Sequence, residues 1–96
     1  MGIDEILKTK RGEILALSAR WGAHNVRVFG SVARGEARAD SDLDLLVKME
    51  ETRSYFDLVR LLDQLEALVG RRVDIITEDG LSPHLRDRIL SEAVPI

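Results

Sequence analysis

A strand, a full helix and a second strand follow one another between residues 42 and 77, and that order leaves few ways to fold. Asp42-Leu-Asp-Leu-Leu-Val-Lys-Met49 opens with near-perfect alternation of polar and apolar residues, the period of a half-buried strand. Residues 54–69 then carry Tyr55, Leu58, Val59, Leu62, Leu65 and Val69 as one apolar stripe at helical spacing, with Gly70 behind it as a C-cap. Arg72-Val-Asp-Ile-Ile-Thr77 alternates again. Two strands joined through a helix run parallel when they are neighbours. This segment therefore predicts a small sheet with a crossover helix packed on one face.

The rest of the chain adds to that unit. Residues 3–22 place Ile3, Ile6, Leu7, Ile14, Leu17 and Trp21 on one side of an amphipathic helix, with Gly22 as its stop. Asn25 to Phe29 reads as a short strand, broken by Gly30-Ser31. Ser31 is the expected N-cap of a helical turn that Gly35 ends, and Glu36 to Ser41 reads as a polar loop. Asp79-Gly80 is a turn, Ser82-Pro83 opens a last helix over about residues 83–93, and Pro95 prevents its continuation. That helix should carry Leu85, Ile89 and Ala93 on one face. The prediction is an α/β (α+β) domain over residues 1–96, with a mixed sheet of about three strands flanked by helices. The first two strands, joined by only a short turn and a loop, are expected to be antiparallel.

Composition narrows the function. The 96 residues contain no cysteine and two histidines far apart, His24 and His84, so a zinc site is not expected and any metal must be held by oxygen. A net charge of −3 argues against direct binding of nucleic acid. No stretch reaches the roughly 20 apolar residues of a membrane span, and the charged N-terminus has no signal-peptide core. The expected location is cytoplasmic.

Against this background three aspartates are out of place. Residues two apart in a strand share a face, so Asp42 and Asp44 point the same way, about 7 Å apart at ~3.3 Å per residue. Leu43, Leu45 and Val47 point into the core. Asp-X-Asp alone is an ordinary solvated strand end. Asp74, however, interrupts a run of Val and Ile that has no use for a carboxylate. A parallel pairing puts it on the face of Asp42 and Asp44, where three like charges are tolerated if a hard cation lies among them. At the end of the first strand, Gly30 removes a Cβ and lets a phosphate approach the backbone, and Ser31 opens a turn with free N–H groups.

Gly30-Ser31, Asp42-X-Asp44 and Asp74 on the next strand together resemble the signature of the DNA polymerase β-like nucleotidyltransferase superfamily. The string GSVARGEARADSDLDLLV is similar to the minimal nucleotidyltransferases, the small partners of HEPN-domain toxins in prokaryotic toxin–antitoxin pairs, and the likeness continues through Leu81-Ser82-Pro83 to Ile96. The resemblance implies that Gly30 and Ser31 hold the triphosphate of ATP. It also implies that Asp42, Asp44 and Asp74 carry catalysis and bind one or two Mg²⁺, and that AMP passes to a tyrosine hydroxyl of a HEPN ribonuclease toxin. Arg34 is a candidate contact for the nucleotide, though a pairing with a nearby carboxylate serves equally. Arg38 should be solvated and Ser41 should begin the strand. His24 and His84 should lie on the surface, and Trp21, Tyr55 and Phe56 should pack in the core or between helices.

Two other functions fit the same residues: an antitoxin that acts by binding alone, and a transferase for a small molecule. Three converging carboxylates argue against the first, and the lack of an acceptor-binding domain argues against the second.

Overall fold

The computed structural model describes residues 3–38 and 40–96; Met1 and Gly2, and Ala39 within the expected polar loop, lie outside the described residues. Helix α1 (Ile3–Arg20) buries Ile3, Ile6 and Ile14. Its one buried polar side chain, Ser18, donates to the Ile14 carbonyl at 2.7 Å, so its hydroxyl is paired within the core. Gly22, at φ +83°, releases the chain from the helix. Strand β1 (Ala23–Phe29) starts before the expected Asn25. Asn25 takes φ 51°, and the pairing register shifts between His24 and Arg27. Asparagine accepts the left-handed region, and the resulting bulge lets the strand extend backwards to Ala23.

The short helix α2 (Gly30–Ala33) corrects one expectation: Ser31 is not its N-cap. Phe29 holds that position with extended backbone and no side-chain capping bond. Gly30, at φ +73°, makes the turn itself, so the helix begins one residue sooner and Ser31 falls inside it.

Strand β2 (Leu43–Met49), helix α3 (Tyr55–Val69) and strand β3 (Val73–Thr77) follow, with Asp42 standing just before β2 rather than in it. The bounds of α3 are set chemically. Ser54 and Asp57 form a reciprocal capping box, and Gly70 ends the helix at φ 73°. Leu61, Leu65 and Val69 are its buried residues. Tyr55 and Phe56, expected in the core, are instead 77% and 80% exposed. They occupy the first turn of α3, where helical spacing continues but, among the described residues, little covers them.

A 3₁₀ turn (Glu78–Gly80) leads to helix α4 (Pro83–Glu92), capped by Ser82. On the face that carries Leu85, Ile89 and Ala93, Ile89 is buried and Leu85 is 48% exposed. The expected three strands are four: β4 (Val94–Pro95) pairs antiparallel with β1, Val94 opposite Val28 and Pro95 opposite Arg27. Strand order is β3-β2-β1-β4. β1 and β2 are antiparallel and β2 and β3 parallel, as the connections dictate.

Alternation divides the sheet into two faces. Leu43, Leu45, Val47, Val28 and Val73 join Ile6, Ile14, Leu61 and Leu65 in one cluster, under α1 and α3. Phe29, Leu46 and Ile76 face the other way and pack on Ile89, Leu90 and Ala93 of α4 and the residue after it. Trp21 packs against the first cluster and its indole N–H donates to Gln64 at 3.1 Å. Among the described residues no helix is long and apolar enough to cross a membrane.

Candidate active site

The α4 face of the sheet is apolar over its middle and acidic at one end. Asp44, the second residue of β2, lies in register with Asp74 on β3 and with Phe29 on β1. Register partners share a face, so Asp44 and Asp74 project together, on strands about 4.8 Å apart. The expected placement of Asp74 beside Asp44 is therefore met. Asp42 enters one residue before β2 and is exposed, as is Asp74, whereas Asp44 is half-buried. The strand start between Asp42 and Asp44 is pinned by Leu43, whose N–H donates to the Arg72 carbonyl at 2.9 Å.

Electrostatics single out Asp44. Burial pushes its carboxyl above the usual aspartate range, and the neighbouring charges of Asp74 and Asp42 push it further, with Arg34 opposing and Glu92 adding. A half-buried carboxylate pressed by two others is stabilised by a cation. Among the described residues, no three acidic or histidine side chains stand close enough to enclose a metal by themselves. Oxygens from phosphate and water must then complete any coordination shell, which is the usual habit of Mg²⁺. The donor set, all carboxylate, fits a hard cation.

Gly30 lies directly against this carboxylate. A Cβ at Gly30 would run into the Asp44 side chain, and its positive φ is itself unfavourable to other residues. Ser31 follows it at the site's edge. Arg34, just past α2, is half-exposed and donates to Glu36 at 3.0 Å and also to Glu92 at the end of α4. Those hydrogen bonds hold the guanidinium firmly protonated. Glu92 was invisible to sequence reasoning: its partner is 58 residues away, and only the packing of α4 brings the two together. Arg38 is exposed. Ser41 does more than begin a strand. Its hydroxyl accepts from the Arg38 N–H at 2.7 Å, and its carbonyl accepts from Arg71 at 3.1 Å, which fixes the loop that delivers Asp42. His24 and His84 are on the surface as expected.

Comparison with known proteins agrees with this geometry. The family described as "Nucleotidyltransferase domain" matches residues 13–96. Protein adenylyltransferase MntA of Thermococcus cleftensis is 40% identical over 92 residues, spanning 96% of this chain and 90% of that protein. A solved structure of a candidate minimal nucleotidyltransferase superposes with a TM-score of 0.87 at 59% identity, over 96% of this chain and 94% of the other. A toxin–antitoxin crystallised with AMP-PNP shares the fold, with a TM-score of 0.75 at 20% identity over 88% of this chain and 69% of that one. The chain belongs to the nucleotidyltransferase domain family and is a nucleotidyltransferase.

Proposed function

We propose that this protein, acting as one minimal domain in the cytoplasm, is an antitoxin that transfers AMP from ATP to a tyrosine hydroxyl of a cognate HEPN ribonuclease toxin. The observation that carries the reading is the register pairing of Asp44 with Asp74 beside a glycine that admits no side chain. The Thermococcus relative is named a protein adenylyltransferase, and the fold is that of a toxin–antitoxin bound to an ATP analogue; both support the proposal.

In this reading Asp42, Asp44 and Asp74 would hold one or two Mg²⁺, which would supply charge neutralisation of the triphosphate and a lower pKa for the acceptor hydroxyl. Gly30 and Ser31 seat the phosphates, the missing Gly30 side chain making room for the Asp44 carboxylate beside them. Arg34 exchanges a carboxylate partner for a phosphate oxygen, with the same charge-assisted geometry. The phenol oxygen bonds to the α-phosphorus and the bond to the pyrophosphate oxygen breaks. The phenol proton passes to Asp74, then to water. The protein contributes position and charge rather than covalent chemistry.

The test uses the purified toxin partner, Mg²⁺ and ATP labelled at the α-phosphate. Label should appear on a partner tyrosine and fall about 10²-fold or more with Asp44→Asn or Asp74→Asn. Protection from the toxin that persists in both variants, with no label on the partner, refutes transfer and leaves an antitoxin that acts by binding.

A further inference from the structure

The three aspartates are not held alike. Asp44 lies within β2, which has β1 on one side and β3 on the other. Asp42 stands before the β2 ladder begins, and Asp74 lies on β3, which ends the sheet. Among the described residues neither has a strand on both sides to fix its backbone. The corner between α3 and β3 supplies the missing anchors.

Asp42 is bracketed by two consecutive residues of that corner. The carbonyl before it, that of Ser41, accepts from Arg71 Nη1 at 3.1 Å, and the N–H after it, that of Leu43, donates to the Arg72 carbonyl at 2.9 Å. Arg71 is half-buried, and its Nε is shut away with no hydrogen-bond partner among the described residues. A buried polar atom without a partner is a local cost, and such costs gather where function constrains a residue. Asp74 is anchored from the other side of the corner. On an edge strand alternate N–H groups face away from the sheet. That of Val73, next to Asp74, donates to the half-buried Glu66 carboxylate at 3.0 Å, and Glu66 stands one turn before the Gly70 cap of α3. Leu43 and Val73 are register partners, so both anchors act at the first rung of the β2–β3 ladder.

We infer that Arg71 and Glu66 are positioning residues for the cation-binding carboxylates: Arg71 fixes Asp42 and Glu66 fixes Asp74, each through one side-chain bond to the adjoining backbone. The inference rests on the metal-dependent transferase reading above and adds what sets the spacing of its ligands. Charge alone predicts the opposite pattern. Removing a positive charge beside an acidic site favours a cation, and removing a negative charge disfavours it. Anchoring reverses the first sign and cancels the second as long as a neutral acceptor remains.

The test measures, by calorimetric titration of the full chain, the factor by which Mg²⁺ tightens AMP-PNP binding. Arg71→Met, which keeps the bulk of the stem without its donors, and Glu66→Ala should each cut that factor about tenfold or more. Glu66→Gln should keep it, and Arg71→Lys should restore part of it. In the metal-free chain, amide hydrogen exchange followed by NMR should quicken at Leu43 in Arg71→Met and at Val73 in Glu66→Ala, with α1 unchanged. An undiminished Mg²⁺ factor in both disruptive variants, even with a lowered urea midpoint, overturns the inference and leaves a purely structural corner. A larger factor in Arg71→Met, or a loss in Glu66→Gln equal to that in Glu66→Ala, overturns it in favour of charge. Should a disruptive variant fail to fold, Glu66→Gln alone still separates anchoring, which keeps the factor, from charge, which lowers it. Absence of any Mg²⁺ effect in the unaltered chain strikes the transferase reading instead, and the exchange rates at Leu43 and Val73 then decide the anchors: rates unchanged in the variants overturn them.

Discussion

Asp44 is where the site's electrostatic cost is concentrated. Its carboxyl is raised above the ordinary 3.8 by burial first and by Asp74 and Asp42 after. The folded chain therefore holds this proton more tightly than the unfolded chain does. The group favours folding fully below 3.8, and that contribution is lost as pH rises through the folded value. Without nucleotide or metal, Asp44→Asn should accordingly stabilise the chain at neutral pH, by about 1 kcal/mol or less for a partly solvated charge. It should also flatten the decline in stability above pH 4, and denaturant titrations across pH would measure both effects. Gly30→Ala should act in the opposite direction. A left-handed alanine costs about 1–2 kcal/mol, and the new methyl displaces the carboxylate it meets, so stability and AMP transfer should fall together. Asp74 was legible in the sequence because a carboxylate in a Val/Ile strand breaks a local pattern. Glu92 was not, because nothing local distinguishes it from any helix-terminal glutamate; its pairing with Arg34 exists only after α4 has docked.

Among the elements, α3 shows how much local chemistry decides. Its stop was readable because Gly70 is a local C-cap signal, whereas its start rests on the Ser54–Asp57 box, which the apolar stripe does not show. Ser54→Ala should cost about 1 kcal/mol, within the usual 0.5–2, with AMP-PNP affinity unchanged; a urea midpoint and a nucleotide titration would check the pair. The errors fall where local signals and packing diverge. Tyr55 keeps the helical period of Leu58 and Leu62, yet is 77% exposed. Ser31 has a capping residue's chemistry, but Gly30 had already made the turn. β4, two residues long and containing a proline, has no strand pattern of its own and is defined by pairing with Val28 and Arg27 of β1.

At the scale of the molecule, the α/β order and the strand directions were legible, since a helical crossover enforces parallel pairing and a short link favours the reverse. The convergence of carboxylates on one face followed from that topology, but how closely they meet did not, because side-chain positions answer to burial and to charge. A chain that gathers like charges at one end of its sheet should gain stability from whatever neutralises them. Mg²⁺ with AMP-PNP at about 100 times its dissociation constant should add roughly 2.7 kcal/mol to unfolding, and Asp44→Asn should lose most of that gain in a calorimetric scan. The two margins of the sheet also differ in what they allow. At one margin Pro95 lacks an N–H, so β4 offers a neighbouring strand one donor fewer; at the other, β3 has no strand partner among the described residues. Endless stacking of copies needs two competent margins per molecule. A donor missing from one margin therefore disfavours continued stacking through β4.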